Sequence, residues 1–424
     1  MRMKLNKSSQ LLLVSAASLL AAGLVTACGT LTTDFVFVAS SKAAGSNNYG
    51  EIDVFEINAV SGAMRQIPTS PFFSAGRNPV AEAVSSDNAN LYVVNQDDNT
   101  IVQFGIGSDG KLYPQNTVNT PGIFPMAVAV SGSNLFVVDT YQPLPICSDA
   151  APCSGSIGVF PIASAISKTP GEPGPAPVAN GSLTYWPLSL PSSPSDVLEP
   201  TAINVLASGS YLYVTAYDAT TGANYIFGFS VGSGGALSAL SNGAPLLGGA
   251  PFATGTCPTA FVNAPYVAGT CPAAIASDSD LTGTYVYVTD SKNGTVHAYS
   301  AASGILTELS GSPYPAGNQP SAIAVDPKYP YAYVANAQDG TVSAYSISSG
   351  ALSRIGTYDA GLQPVALGID PSTHHFLFTV NFLGSDISNF ELSSTAGTLI
   401  NTQHSPYPAN AQPTAVAAIP HRTQ

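Results

Sequence analysis

A five-residue aromatic and β-branched segment returns seven times along this chain. The copies are FVFVA at 35–39, LYVVN at 91–95, LFVVD at 135–139, LYVTA at 212–216, VYVTD at 286–290, AYVAN at 332–336 and FLFTV at 376–380. A period of roughly 45 residues indicates stacked supersecondary units that bury their apolar surface against one another. We therefore expect one repeat domain, although 424 residues would otherwise suggest two or three domains.

Each repeat can be read as four strands. The first strand opens at a proline, the second is the segment quoted above, and the fourth follows a glycine turn. The third strand carries an aromatic residue with a β-branched residue three positions earlier. These pairs are Phe55/Ile52, Phe104/Ile101, Phe160/Ile157, Phe229/Ile226, Tyr299/Val296, Tyr345/Val342 and Phe390/Ile387.

Positions three apart in a strand point to opposite faces, so each small sheet must be covered on both sides. Sheets that pack face to face around a ring meet this demand, whereas a two-sheet sandwich would leave one face of each sheet wet. The low charged content of 9%, with 39 Gly and 34 Pro, suits short strands joined by turns. The sequence predicts an all-β, seven-bladed β-propeller of four-stranded antiparallel blades.

The two ends of the repeat region complement each other. The strand at 413–420 has no second strand after it, and the strand at 35–38 has no first strand before it. We expect them to pair in one blade, so that the propeller spans residues 35–420, with a tether at 29–34 and a tail at 421–424.

Residues 1–28 have the pattern of an export signal. Arg2, Lys4 and Lys7 precede an apolar run at 11–25 that is short for a membrane span. The following Val-Thr-Ala-Cys resembles a bacterial lipobox, which implies lipidation of Cys28; an ordinary signal peptide is the alternative. The resemblance implies a protein anchored to the cell envelope on the periplasmic side, and Gly29 favours the outer membrane.

The net charge limits the partners of the chain, and the cysteine positions indicate disulfides. Removal of residues 1–28 leaves nine basic residues against 25 acidic ones, so nucleic acid is excluded as a partner. The pairings Cys147–Cys153 and Cys257–Cys271 are favoured because each pair lies within one Pro/Gly-rich loop. A zinc site is the weaker alternative, since neither the CxxC spacing nor a neighbouring His is present.

The strand patterns resemble the YVTN-type repeats of seven-bladed propellers, including the lactonases related to 6-phosphogluconolactonase, over residues 34–420. The resemblance implies that the loops from fourth to first strands and from second to third strands open on one face, around a channel mouth. The insertions at 140–155 and 242–271 would then flank this mouth, and the insertion at 163–181 would lie on the opposite face.

Polar residues occur at two repeated positions on the predicted mouth. The residues that stand before the opening prolines, here called pre-proline residues, include the polar residues Asn78, Glu199, Gln319, Gln363 and Gln412. The strand-end residues, which close the second strands, are Asn95, Asp139, Asp290, Asn336 and Asn381. Together they suggest a site for a sugar, a lactone or a divalent cation. The alternative is that they satisfy turn backbones. No cofactor and no metal ligands are predicted.

Glu82 stands where the other first strands carry Val128, Ile203, Ile275, Ile323, Leu367 and Val416. A buried carboxylate needs a partner or a raised pKa. Arg77 is the nearest cation in sequence, and a Glu82–Arg77 pair would combine a general acid/base with an oxyanion stabiliser. A structural ion pair or a locally wet position is the alternative.

Two functions fit this sequence. The first is an envelope-anchored binding protein that presents its acidic, polar mouth to a protein, a glycan or a small ligand. The second is a lactonase-like hydrolase of a non-phosphorylated sugar lactone. A phosphorylated lactone is disfavoured, because Lys42, Arg77 and Lys292 are the few basic residues expected on the mouth side.

Overall fold

The computed structural model describes residues 32–148, 150–162, 184–190, 192–240, 272–279 and 283–421. The predicted signal sequence with Cys28, the insertion at 163–181, and the insertion at 242–271 with Cys257 and Cys271 lie outside these ranges. Among the described residues, no helix is long and apolar enough to cross a membrane.

The described ranges contain 31 strands and one short 3₁₀ helix at Ser233–Gly235. The strands of the first four blades, in chain order, are β1 (Thr32–Ala44), β2 (Tyr49–Asn58), β3 (Met64–Gln66), β4 (Phe72–Phe73), β5 (Pro79–Val84), β6 (Asn90–Asn95), β7 (Thr100–Ile106), β8 (Leu112–Asn119), β9 (Ile123–Ser131), β10 (Asn134–Tyr141), β11 (Ser156–Pro161), β12 (Trp186–Pro187), β13 (Leu198–Val205), β14 (Tyr211–Asp218), β15 (Asn224–Val231) and β16 (Leu237–Ala239).

The remaining strands form blades 5 to 7 and close blade 1. They are β17 (Ala274–Ser279), β18 (Thr284–Asp290), β19 (Thr295–Ala302), β20 (Ile305–Glu308), β21 (Tyr314–Pro315), β22 (Pro320–Val325), β23 (Tyr331–Asn336), β24 (Thr341–Ser348), β25 (Ala351–Asp359), β26 (Pro364–Ile369), β27 (Phe376–Asn381), β28 (Asp386–Leu392), β29 (Leu399–Asn401), β30 (Tyr407–Pro408) and β31 (Pro413–Pro420).

The strands assemble into seven antiparallel sheets, as the repeat predicts. Each sheet runs from a first strand to a fourth, and the third strands of blades 1, 5 and 7 also pair with a short extra strand, namely β4, β21 and β30. The first strands contact one another in the closed order β31, β5, β9, β13, β17, β22, β26 and back to β31. This circuit confirms the seven-bladed propeller and places the first strands around its centre.

The chain ends close the ring within blade 1. Strand β31 pairs antiparallel with β1, with Phe35 opposite Ile419 and Ala39 opposite Ala415. Strand β1 begins at Thr32, three residues before the predicted start. A hydrogen bond also connects the loop before β31 to β2: the Asn410 backbone N–H donates to the Asp53 carboxylate at 2.6 Å.

The third-strand pattern explains how the blades pack. All seven aromatic residues and all seven β-branched residues of this pattern are buried. Seven apolar clusters fill the spaces between neighbouring blades, and in each the β-branched residue of one blade joins the aromatic residue of the next. Ile52 with Phe104 and Ile101 with Phe160 are two examples. The prediction that both faces of each sheet are covered is confirmed.

Strand register corrects the alignment of two repeats. Glu82 pairs with Val93, and the equivalent Val416 pairs with Val38. Phe37 is therefore level with Tyr92, so the segment quoted for the first repeat starts one residue too early. The same shift applies to the seventh repeat, in which Leu367 pairs with Thr379.

The insertion between β10 and β11 contains one of the two predicted disulfides. Cys147 and Cys153 are bonded, with their Cα atoms 5.4 Å apart. This pairing is confirmed, whereas the pairing of Cys257 with Cys271 falls outside the described residues and stays a prediction.

Candidate functional site

A cavity of about 650 Å³ occupies the centre of the propeller. Its wall includes residues of the first strands, such as Val80, Ala274 and Val365, together with pre-proline residues and residues just after the second strands, such as Gln96 and Ala337. The cavity therefore lies on the face where fourth-to-first and second-to-third connections meet, which is the face that the family resemblance implies for the mouth.

In four blades, the loop that leads to the cavity contains a glycine that packs closely against a strand-end residue. Gly76, Gly122, Gly317 and Gly361 each stand two residues before a pre-proline residue and pack against the strand-end Asn or Asp of the same blade. A Cβ atom at Gly361 would lie 2.2 Å from Nδ2 of Asn381. Only glycine permits this close contact without displacing its neighbour.

In five blades the pre-proline residue adopts a left-handed backbone. The φ angles are 53° at Asn78, 55° at Phe124, 53° at Gln319, 56° at Gln363 and 61° at Gln412. This conformation is uncommon for residues other than glycine. It places the carbonyl group toward the neighbouring loop, where for example Gln319 O accepts the Ala337 N–H at 2.8 Å.

The strand-end residues are buried and serve the turns. Asn95, Asp139, Asp290, Asn336 and Asn381 are each at most 1% exposed. None of them is among the residues that line the cavity. Their placement matches the alternative in which these polar groups satisfy turn backbones, and it does not match direct contact with a ligand in the cavity.

Hydrogen bonds of individual strand-end residues support this assignment. Asn336 accepts the Gly317 N–H at 2.9 Å and donates to Thr341 and Ser343 at 3.1 and 3.0 Å. Asp290 accepts the Lys292 and Asn293 N–H groups at 3.0 Å. Each side chain is thus used within its own blade.

Asp139 is the strand-end residue with the most unusual electrostatic environment. Its Oδ2 atom accepts the Gly122 N–H at 3.0 Å. Burial raises the pKa of Asp139 to about 7, and the nearby Thr120 hydroxyl and Gly122 amide limit the rise. This carboxyl group holds the blade 3 turn and is closed off from solvent.

The pre-proline residues divide into two groups. Glu199, Gln319 and Gln363 line the cavity, whereas Asn78 and Gln412 are not among its lining residues. The Asn78 amide is used locally, since its Nδ2 atom donates to Gln96 at 3.1 Å and to Asp97 at 3.0 Å. Two predicted ligand residues are therefore placed outside the cavity wall.

A carboxylate and a phenol meet on the blade 4 side of the cavity. Glu199 lies opposite Tyr217 in the register of β13 and β14. The Tyr217 hydroxyl donates a short hydrogen bond to Glu199, and both residues line the cavity. This pair supplies the cavity with an acceptor of hydrogen bonds from hydroxyl groups.

The blade 3 side of the cavity is aromatic and apolar, which the sequence analysis missed. Phe124, Met126 and Tyr141 line it, and the rings of Phe124 and Tyr141 meet edge to face at 6.1 Å. Both aromatic residues occupy or lie near repeated positions of the sequence, because Phe124 is a pre-proline residue and Tyr141 lies two residues after Asp139. Their apolar side chains do not belong to the polar pattern that predicts the mouth.

Hydroxyl groups deeper in the channel link neighbouring blades. Thr201, Ser321 and Thr414 each follow an opening proline and donate to the proline carbonyl of the next blade, that is to Pro272, Pro364 and Pro79. These three side chains line the cavity but are already committed to ring closure.

Glu82 lies in the cavity wall without the predicted partner. Neither carboxyl oxygen is accessible to solvent or has a hydrogen-bond partner of normal geometry among the described residues. Burial raises the pKa of Glu82 to about 8, and the nearby Ala417 backbone amide opposes the rise only in part. Below that pH the group is a neutral carboxylic acid.

Arg77 is engaged elsewhere. Its Nε atom donates to Asp98 at 2.7 Å, and its backbone N–H donates to the same carboxylate at 2.8 Å. Half of the Arg77 side chain is exposed. The expected Glu82–Arg77 pair is thus wrong, because the turn after β6 brings a carboxylate to Arg77 that is 21 residues away in sequence.

The described lining of the cavity carries only acidic ionisable groups besides its tyrosines. These are Glu82 and Glu199, and no Lys, Arg or His is among the described lining residues. Across the described ranges, no three His, Cys, Asp or Glu residues are grouped closely enough to hold a metal ion.

Three solved structures illustrate what the chain is similar to. A putative 6-phosphogluconolactonase from Bacteroides fragilis matches with a TM-score of 0.65 at 20% identity, covering 92% of this chain and 98% of that one. One from Bacteroides uniformis matches with a TM-score of 0.68 at 16% identity, covering 92% and 100%. The periplasmic gluconolactonase of Pseudomonas aeruginosa matches with a TM-score of 0.61 at 17% identity, covering 92% and 99%.

Sequence comparison adds a family. No curated protein matches the chain. A family model described as "Lactonase, 7-bladed beta-propeller" matches residues 47–143 and 260–418, which together exceed half of the chain. With its seven closed blades and central cavity, the chain belongs to the lactonase family of seven-bladed β-propellers.

Proposed function

We propose that the central cavity binds a neutral, hydroxyl-rich cyclic molecule of the sugar-lactone class. A volume of about 650 Å³ is within the usual range for small-molecule sites. The Phe124 and Tyr141 rings offer an apolar surface for one face of a sugar ring. Glu199, Gln319 and Gln363 offer hydrogen-bonding groups for its hydroxyl groups.

The observation that carries this proposal is the charge of the cavity. The ionisable described lining residues are carboxylic acids and tyrosines, with no cation to neutralise a phosphate. Phosphorylated lactones are therefore poor ligands, and an unphosphorylated lactone or sugar fits better. The relatives include both a putative 6-phosphogluconolactonase and a periplasmic gluconolactonase, and the charge favours a ligand like that of the second.

A second candidate function is hydrolysis of the bound lactone, and Glu82 is the observation that favours it. A carboxyl group with a pKa of about 8 is protonated at neutral pH. After water adds to the lactone carbonyl carbon, this group can donate its proton to the ring oxygen as the bond between that carbon and the ring oxygen breaks, and the proton lost by the water restores the carboxylic acid. Its oxygens are covered, so a side-chain rotation has to bring the group into contact with the ligand. Strongly shifted carboxyl groups in clefts are typical of catalytic sites.

Export and lipid anchoring are part of this proposal. An envelope protein anchored through Cys28 would meet extracytoplasmic sugars and lactones. Growth of the source cells with labelled palmitate tests the anchor: we expect label on the native chain and none on a Cys28→Ser variant. Equal labelling of both proteins would contradict it.

The binding experiment uses the mature chain and D-gluconolactam, a stable neutral analogue of gluconolactone. We expect calorimetry to give a measurable dissociation constant for the lactam. We also expect about tenfold or greater weakening for the 6-phosphate of the same lactam, because its phosphate meets carboxylates without a counter-charge. Absence of lactam binding, or tighter binding of the phosphorylated compound, would overturn the proposal.

The catalytic experiment measures proton release from D-glucono-1,5-lactone above the uncatalysed rate. Turnover that Glu82→Gln lowers, and that the exposed Glu391→Gln control leaves unchanged, supports the hydrolase. Lactam binding with no turnover identifies a binding protein. Turnover that survives Glu82→Gln removes Glu82 from the mechanism.

A further inference from the structure

We propose that Gln319 and Gln363 form a subsite for two hydroxyl groups of one ligand, and that their left-handed backbone is the conformational cost of presenting the two amides. This inference rests on the proposed function, since it names the residues that recognise the hydroxyl groups of the ligand. It also predicts a change in stability that can be measured without any ligand.

The two amides are available for binding. Both side chains are half-buried and line the cavity. Within the described ranges, no residue forms a hydrogen bond with either side-chain amide. The contrast with Asn78 is informative, because Asn78 has the same backbone conformation but commits its amide to Gln96 and Asp97.

The two positions are structural equivalents in adjacent blades. Each glutamine stands between a glycine that packs on the strand-end Asn and the proline that opens the first strand. In each, the carbonyl group accepts a backbone N–H, from Ala337 at 2.8 Å and from Phe382 at 2.9 Å. The same local geometry in adjacent blades therefore places two glutamines in the wall of one cavity.

The chemistry of the amide fits hydroxyl groups. A glutamine side chain offers two N–H donors and one carbonyl acceptor, and a hydroxyl group needs one partner of each kind. Two such amides, one from each of two adjacent blades, can accordingly hold two hydroxyl groups of one polyol. A phosphate or carboxylate would use only the donors and would leave the carbonyl oxygens facing an anion.

The backbone conformation of these residues has a cost in stability that can be measured without a ligand. Glycine adopts φ angles near 55° without steric cost, whereas a residue with a Cβ atom is strained there. Glycine would thus make the fold more stable at both positions. Asn78 and Gln412 adopt the same conformation outside the cavity wall, so what distinguishes Gln319 and Gln363 is their place in that wall.

The test compares Gln319→Gly and Gln363→Gly with the control Gln412→Gly. Gln412 has the same left-handed backbone, at 61°, but is not among the lining residues. All three substitutions should raise the urea midpoint of unfolding, because each removes the strain. Only the first two should weaken D-gluconolactam binding, by about tenfold each, which corresponds to the loss of roughly one good hydrogen-bonded contact.

A Gln319→Asn variant refines the result, because asparagine keeps an amide, tolerates the left-handed region and is one methylene shorter. We expect its affinity to fall between those of the native chain and Gln319→Gly. Native affinity in both glycine variants would overturn the subsite while leaving the proposed function intact. A native chain that does not bind the lactam overturns the proposed function, and glycine variants with lower midpoints overturn the strain argument.

Discussion

The strand-end residues and the pre-proline residues are chemically alike, yet the fold uses them differently. Asn336 and Gln319 belong to the same blade and both carry amides. Asn336 is fully buried and forms three hydrogen bonds within its turn, whereas Gln319 is half-buried and faces the cavity. The comparison teaches that the position of a polar residue along the strand, more than its chemical type, decides whether it supports the scaffold or meets a ligand.

The largest expected effect comes from removing strand β31, which closes the ring that carries both sets of residues. Deletion of residues 413–424 removes β31, its pairing with β1 and the buried Ile419. We expect loss of the cooperative thermal transition, measured by circular dichroism, because blade 1 would expose an apolar edge. A deletion of 422–424 alone is the control and should melt like the native chain. A native midpoint in the longer deletion would show that ring closure does not depend on β31.

The next prediction compares how much a strand-end residue and a pre-proline residue contribute to the free energy of unfolding. Asn336→Ala should cost about 3 kcal/mol of unfolding free energy, since it leaves buried partners such as the Gly317 N–H unsatisfied. Gln319→Ala should change stability by no more than about 0.5 kcal/mol, because both residues carry a Cβ atom and the amide has no partner to lose. Urea titration of the two variants measures both values. Equal costs would remove the distinction between scaffold and ligand residues.

A smaller effect is expected at Gly361, which stands two residues before the pre-proline residue Gln363 and contacts the strand-end residue Asn381. Gly361→Ala places a methyl group 2.2 Å from the Asn381 amide, so either the turn or the loop before Gln363 has to shift. We expect a loss of about 2 kcal/mol, as for other overpacked sites. The matched control is Gly232→Ala, where the nearest atom to the added Cβ is 3.4 Å away. A Gly361→Ala variant as stable as this control would indicate that the loop adapts freely.

The last prediction concerns pH and Glu82, whose carboxyl oxygens are closed off from solvent in the cavity wall. The folded-state pKa of Glu82 is raised from 4.5 to about 8, so between these values the folded chain holds a proton that the unfolded chain releases. Its contribution therefore makes the protein less stable as pH rises through this range. Relative to the native chain, Glu82→Gln should flatten the dependence by up to about 1.4 kcal/mol per pH unit. Parallel profiles for the two proteins would contradict a buried, protonated Glu82, and Glu391→Gln serves as the surface control.

Much of the fold was predictable because each repeat carries the same pattern of apolar residues in its third strand. An aromatic and a β-branched residue three positions apart in seven third strands require cover on both faces, and seven inter-blade clusters provide it. The complementary ends likewise predicted the β1–β31 pairing. Repetition averaged out the local errors, such as the one-residue misalignment of the first and seventh repeats.

The site was less predictable because it depends on contacts between loops. Sequence spacing suggested Arg77 as the partner of Glu82, but Asp98 reaches Arg77 through the turn after β6. The depth of Asn381 in its turn depends on the close contact with Gly361, which spacing does not reveal. Phe124 carries no polar group that would mark it in the sequence, so its place in the cavity wall follows only from the structure.

The direction of β1 has a consequence for how the molecule would be presented on a surface. This strand starts at Thr32, beside the His421 N–H that donates to Thr33 O at 2.8 Å, and runs toward the mouth. Thr32, where the preceding segment joins the propeller, thus lies at the pole opposite the cavity. A protein held to a bilayer by that segment would stand with its opening turned outward, so a diffusing solute could reach it without first passing between the protein and the lipid.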